Sequence, residues 1–179
     1  MSGSRRIIVG VNGSPTSLQA LRYAAGRVHD HDAILIPVLA WVPPGGDLAD
    51  RRAPSAILRH VWEDAAWQRL WDALDAAFGG LPDGLPVEPL VQCGRPGRVL
   101  VRVARQAGDL LVIGAGRRGS LSRLLHCPVS RYCLGHARCP VLAIPPPALA
   151  QEAGHGLHGW AFRHRGLDPD KASLPGGQH

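Results

Sequence analysis

Five short apolar runs alternate with segments of helical periodicity through the first 145 residues, and this alternation constrains the fold more than any other feature. The runs are almost continuously apolar, which is typical of strands that are covered on both faces. Strands of this kind, each followed by a helix, form a parallel sheet inside a three-layer α/β sandwich. We expect strands at residues 6–12, 33–42, 86–92, 109–114 and 140–145.

Helix start and stop signals lie between these runs. Ser14 can cap the first helix and Pro15 suits its first turn, whereas Pro54-Ser55 opens a second, long helix that extends to about Phe78 and is ended by Gly79-Gly80. The third helix is expected at 96–107 and the fourth at 128–137. Ligands of such folds bind beyond the carboxyl ends of the strands, so the loops after strands one, two and four are the candidate site.

The length and composition predict one domain followed by a tail. The chain has 179 residues, and we assign 1–147 to the α/β domain and 148–179 to a flexible Gly- and His-containing C-terminal tail. The sequence contains no apolar stretch long enough to cross a membrane and no secretory signal pattern. We therefore expect a cytoplasmic protein that does not associate with membranes.

The positive charge is concentrated near the last two strands. The net charge is +6, and residues 110–147 contain five arginines and no acidic residue. This charge would suit an anionic ligand, or it would form a solvated surface; both interpretations stay open. Nucleic-acid binding is not expected, because only 5% of residues are aromatic and no helix-turn-helix, zinc-finger or RRM-type pattern occurs.

The cysteines and the other reactive side chains do not form a recognisable catalytic or metal-binding pattern. Cys93, Cys127, Cys133 and Cys139 lack the CxxC spacing of zinc sites, so we expect thiols without a metal. No ordered Ser-His-Asp set or carboxylate pair is evident, which predicts a protein that is not an enzyme. Weak ATPase activity is the lesser alternative.

The loop after the fourth strand carries a glycine-rich motif. Residues 114–119 match G-x-G-x-x-G, which in dinucleotide-binding folds holds a pyrophosphate. Those folds place the motif in the first βα unit, with an acidic residue about 20 positions later. Here only one strand remains, and the next acidic residue is Glu152. The motif therefore does not predict an NAD site.

Three segments together resemble the universal stress protein family. They are the start Ile8–Ser14 with Ser17–Leu21, the fourth strand Asp109–Gly114, and the closing run Val129–Arg131 with Ala137–Pro145. The resemblance covers about residues 5–146 and preserves order and spacing. It implies a five-stranded parallel sheet of order 3-2-1-4-5, as in adenine nucleotide alpha hydrolase-like folds. It also implies a homodimer formed through the strand Pro140–Ile144, with further protein partners that stay unidentified.

The same resemblance implies a nucleotide site, because family members that bind ATP carry an Asp after strand one and the pattern G-x2-G-x9-G-S/T. Here Asn12 stands at the Asp position, Arg117 at the second glycine, and Cys127-Pro128 where Gly-Ser/Thr belongs. Pro128 has no N–H and no hydroxyl, so two phosphate donors are missing. The candidate binding residues are Val11, Asn12, Gly13, Ser14, Val38, Gly114, Ala115, Arg117, Cys127, Pro128, Val129 and Ser130.

These departures predict a stress-response or signalling module whose ATP site is degenerate, with weak or absent binding. No cofactor is required for such a module. The alternative is a functional ATP- or AMP-binding member that uses a variant phosphate loop, in which Arg117 and Arg118 compensate for the lost donors.

Overall fold

A computed structural model describes residues 5–45, 55–115 and 127–145 of the chain. Strands and helices alternate as the sequence predicts. In chain order the elements are β1 (Arg5–Gly10), α1 (Pro15–His31), β2 (Ala33–Trp41), α2 (Ala56–Phe78), β3 (Leu90–Cys93), α3 (Pro96–Val103), β4 (Asp109–Gly114), α4 (Pro128–His136) and β5 (Val141–Ile144). The strands form one parallel sheet of order β3-β2-β1-β4-β5, which confirms the predicted topology.

The sheet is covered on both faces by separate apolar cores. One core joins the sheet to α1 and α2 through buried residues such as Leu21, Leu70 and Leu74. The other core joins the opposite face to α3 and α4 through residues such as Leu100 and Cys133. Burial on two faces explains why the strands are apolar at nearly every position. The three-layer sandwich is therefore confirmed.

The third strand is shorter than predicted and begins later. It spans Leu90–Cys93, whereas the apolar pattern predicts 86–92. Before it, Val87 forms only an isolated parallel bridge to Leu35, held by two backbone hydrogen bonds of 2.9 and 2.8 Å. Pro89 follows and has no N–H to donate to a neighbouring strand. The proline therefore separates the bridge from the strand. The other four strands begin and end within two residues of the predicted ranges.

The third helix also ends earlier than predicted, at Val103 rather than at residue 107. The Arg6 guanidinium donates to the Val103 carbonyl at 3.1 Å, and the Asp109 carboxylate accepts from the Gln106 N–H at 2.8 Å. These two backbone groups are bonded to side chains from the strands instead of to a continuing helix. The helix end is thus decided by distant residues, which local periodicity does not reveal.

A buried ion pair joins the first strand to the fourth. The Arg6 Nε and Nη2 atoms donate to the two carboxylate oxygens of Asp109 at 2.8 and 2.6 Å. The Asp109 side chain is 1% exposed and that of Arg6 is 22% exposed. The hydrogen bond to Asp109 raises the pKa of Arg6 against the opposing effect of burial. The pair lies at the amino ends of the strands, away from the edge where ligands bind such folds.

No helix in the described ranges is both long and apolar enough to cross a membrane. The predicted tail, 148–179, lies outside the described residues, as does Arg117.

Candidate functional site

A cavity of about 340 Å³ lies at the carboxyl ends of β1, β2 and β4. This is the edge at which ligands bind open parallel sheets. The residues that line it come from the end of β1, the β1–α1 turn and the start of α1, from β2 and β4, from α3, and from the start of α4. They are Gly10, Val11, Asn12, Ser14, Thr16, Ser17, Val38, Ala40, Pro96, Leu100, Ile113, Gly114, Cys127, Val129 and Ser130.

The turn between β1 and α1 is held by its own polar side chains. The Asn12 Oδ1 atom accepts from the Ser14 N–H at 3.1 Å, and Gly13 adopts a φ of 76°. The Ser14 hydroxyl caps α1 by accepting from the Ser17 N–H at 3.3 Å, and it lies 3.0 Å from the Thr16 hydroxyl. The Asn12 side chain therefore stabilises the turn and retains one carbonyl lone pair for a ligand.

Gly114 is required by close packing between β4 and the start of α1. A Cβ atom built on Gly114 would lie 2.9 Å from the Thr16 carbonyl carbon and 3.0 Å from its oxygen. These are backbone atoms, which cannot move aside as the end of a side chain can. Gly114 matches the first glycine of the family motif. Packing against Thr16 requires a glycine at this position whether or not phosphate binds.

The helix α4 begins at the cavity with a cysteine and a proline. Cys127 is the N-cap, since its carbonyl accepts from the Arg131 N–H at 3.0 Å, and Pro128 occupies the first turn. The Cys127 side chain forms no capping hydrogen bond of ordinary geometry. Burial raises the pKa of the Cys127 thiol, but the amide and hydroxyl of Ser130 and the amide of Val129 outweigh burial and lower it.

Most of the predicted site residues meet at this cavity. Gly13, Ala115 and Pro128 lie beside it without lining it, and the Ala115 N–H instead donates to the Ile144 carbonyl at 2.7 Å. The predicted residues that line the cavity are Val11, Asn12, Ser14, Val38, Gly114, Cys127, Val129 and Ser130.

Sequence reasoning missed the wall contributed by α3 and several nearby positions. Ala40 follows Val38 with the two-residue period of a strand face, so that period could have identified it. Pro96 and Leu100 are four residues apart on one side of α3, but nothing local indicates that this helix borders the cavity. The other missed residues are Gly10, Thr16, Ser17 and Ile113.

The cavity combines apolar walls with a polar rim. None of the fifteen lining residues is an acid, a histidine, a lysine or an arginine. No group of three His, Cys, Asp or Glu side chains that could hold a metal occurs within residues 5–45, 55–115 and 127–145. Such a site can hold a flat apolar group against the strands and orient it through hydroxyl and amide groups.

Comparison with known proteins decides the family. The model of the universal stress protein family matches residues 3–145. The chain belongs to the universal stress protein family. A universal stress protein of Mycobacterium tuberculosis is 32% identical over 144 residues, an alignment that covers 76% of this chain and 44% of the relative. The chain thus spans less than half the length of that relative.

Solved structures of the family share the fold. The universal stress protein UspA from Lactobacillus plantarum superposes with a TM-score of 0.51 at 22% identity, covering 80% of this chain and 99% of that one. A universal stress protein from Archaeoglobus fulgidus gives a TM-score of 0.50 at 20% identity, covering 79% and 99%. At this identity the likeness concerns the fold alone.

Proposed function

We propose that this chain is a non-enzymatic, cytoplasmic stress-response or signalling module with a degenerate adenine-nucleotide site. The observation that carries the proposal is the Cys127-Pro128 start of α4 at the edge of the cavity. In family members that bind ATP, the equivalent positions carry a glycine and a hydroxyl residue. The degeneracy is therefore local to the side of the cavity that would hold phosphate.

Pro128 weakens that side because it contributes neither an N–H nor a hydroxyl. Cys127 adds a side chain at a position where the family pattern has none. The Val129 and Ser130 amides remain at the start of α4, where they lower the pKa of the Cys127 thiol. Each charge-assisted hydrogen bond lost here lowers binding free energy by about 1.5–3 kcal/mol.

The side that would hold adenine and ribose is less affected. Val38, Ala40 and Ile113 supply apolar walls from the strands, and Ser14 with Asn12 supplies polar groups at the rim. A nucleoside gains most of its binding free energy from walls of this kind. We therefore expect the phosphates to add little to the affinity.

Calorimetric titration of the unaltered chain should give a Kd for ATP of about 0.1 mM or weaker. Adenosine should bind within about tenfold of ATP, because the lost donors affect only phosphate. Ala40→Phe, which fills the cavity from β2, is the matched control and should abolish the binding of both ATP and adenosine. Tight binding of ATP with much weaker binding of adenosine would contradict the proposal.

That contradicting outcome would favour the second candidate, a functional ATP- or AMP-binding module with a variant phosphate loop. The observation in its favour is the +5 charge of residues 110–147, which includes Arg117 and Arg118. Arginines can hold phosphate through paired N–H donors.

We also propose that the chain forms a homodimer through β5. This strand lies at the edge of the sheet, and three of its four side chains are only half-buried. Since the Pro140 and Ile144 carbonyls accept from the β4 side, the Val141 and Ala143 amides point outward. Unpaired groups on an apolar edge favour pairing with a second chain.

Light scattering at micromolar concentration should therefore give the mass of a dimer. Val141→Pro removes an outward N–H without removing a hydrogen bond to β4, so it should shift the chain toward monomer. A substitution on the exposed surface of α2, Asp72→Ala, should leave the mass unchanged. A monomer for the unaltered chain, or a dimer unaffected by Val141→Pro, would contradict this interface.

A further inference from the structure

We propose that the cavity is a covalent site for small α,β-unsaturated carbonyl compounds, with the Cys127 sulfur as the attacking atom. The inference goes beyond nucleotide binding and requires only the cavity and its thiol. It rests on the shape and lining of the cavity, on the position of Cys127 at its edge, and on the different surroundings of Cys133 and Cys139.

The cavity places the Cys127 thiol beside apolar walls that could hold a small apolar molecule. Cys127 is half-buried and is the only cysteine among the described residues that line the cavity. Leu100, Ile113 and Val129 provide apolar surface across the same space. A small uncharged electrophile would be concentrated there by burial of its apolar surface, while a charged reagent would gain nothing from these walls.

The start of α4 stabilises the sulfur as a thiolate, which is the nucleophilic form. Cys127 is the N-cap of this nine-residue helix, and the amides of Val129 and Ser130 belong to the first turn that follows it. Ser130 is 1% exposed and lines the cavity together with Cys127. These groups lower the pKa of Cys127 although burial opposes them.

Two other cysteines near α4 lack this arrangement. Cys133 is fully buried, and burial raises its pKa to about 11. Burial also raises the pKa of Cys139, whose thiol donates to the Ala104 carbonyl at 3.7 Å. Neither thiol lines the cavity.

Cys127 and Cys133 are also too far apart to be oxidised to a disulfide within the native helix. Six residues along a helix correspond to about 9 Å, beyond the Cα separation of about 7 Å that a disulfide spans. The Cys127 thiol is therefore not consumed by its neighbour on α4.

The reaction is a conjugate addition. The thiol proton leaves to solvent, and the thiolate sulfur then forms a bond to the β carbon of the unsaturated carbonyl compound. The carbon–carbon π pair moves to the α carbon, which takes a proton from water. The product is a thioether, no leaving group departs, and neither an oxidant nor a reductant is consumed.

The test uses the full chain and 2-cyclohexenone at neutral pH, with adducts located by peptide mass spectrometry. Cys127 should be modified about tenfold faster than Cys139 and before any other cysteine. Equal rates at Cys127 and Cys139, or faster modification of Cys93, would overturn the proposal. The measurement contains no nucleotide, so a failure to bind ATP does not affect it.

Two variants separate the cavity from the thiol itself. Ala40→Phe fills the cavity. It should therefore slow the reaction of Cys127 with 2-cyclohexenone more than its reaction with the polar reagent iodoacetamide. Ser130→Ala removes the hydroxyl beside the sulfur and should slow both reagents about threefold at Cys127 while leaving Cys139 unchanged. If Ala40→Phe slows both reagents equally, the cavity plays no part and the proposal is wrong.

Discussion

Asp109→Ala is expected to lower the free energy of unfolding by about 3 kcal/mol. The Asp109 carboxylate is 1% exposed and accepts from two Arg6 nitrogens. It also accepts from the Gln106 N–H beyond α3. Removing it leaves a partly buried guanidinium without its partner and a backbone donor without an acceptor.

Thermal unfolding should show this loss as a fall in Tm of about 10 °C for a domain of this size. Asp72→Ala is the matched control, because Asp72 is exposed on α2 and accepts from the exposed Gln68 side chain. That control should change stability by less than about 0.5 kcal/mol. A fall of only one or two degrees for Asp109→Ala would mean that the ion pair contributes little.

The second large effect concerns the nucleotide site. The triple substitution Arg117→Gly, Cys127→Gly, Pro128→Ser should raise the affinity for ATP by at least about tenfold. It restores the glycines and the hydroxyl residue of the family pattern, together with the N–H that Pro128 lacks. Calorimetric titration of the variant beside the unaltered chain measures the change.

Asn12→Asp alone is the matched control and should change ATP affinity little. The Asn12 carbonyl oxygen accepts from the Ser14 N–H, and an aspartate oxygen would keep that bond in the β1–α1 turn. If the triple variant folds with an unchanged Tm but still does not bind ATP, the loss extends beyond the start of α4. Titration of the same variant with adenosine then shows whether the loss includes the part of the cavity that would hold the nucleoside, because the walls from β2 and β4 are unaltered.

The sequence alone determined the elements whose signals are local. Continuous apolar runs identified all five strands, serine and proline signals identified helix starts, and a glycine pair identified the end of α2. The family resemblance added the sheet order and eight residues that line the cavity. These features were predictable because each depends on residues that are close in the chain or on a motif of fixed spacing.

Only the tertiary structure decided the rest. The wall of the cavity formed by Pro96 and Leu100 depends on how α3 packs across the sheet. The end of α3 depends on Arg6 and Asp109, about a hundred residues apart in sequence. Gly114 is explained by the Thr16 backbone that it meets. In each case the decisive contact joins residues that are distant in sequence, and such contacts leave no periodic signal in the chain.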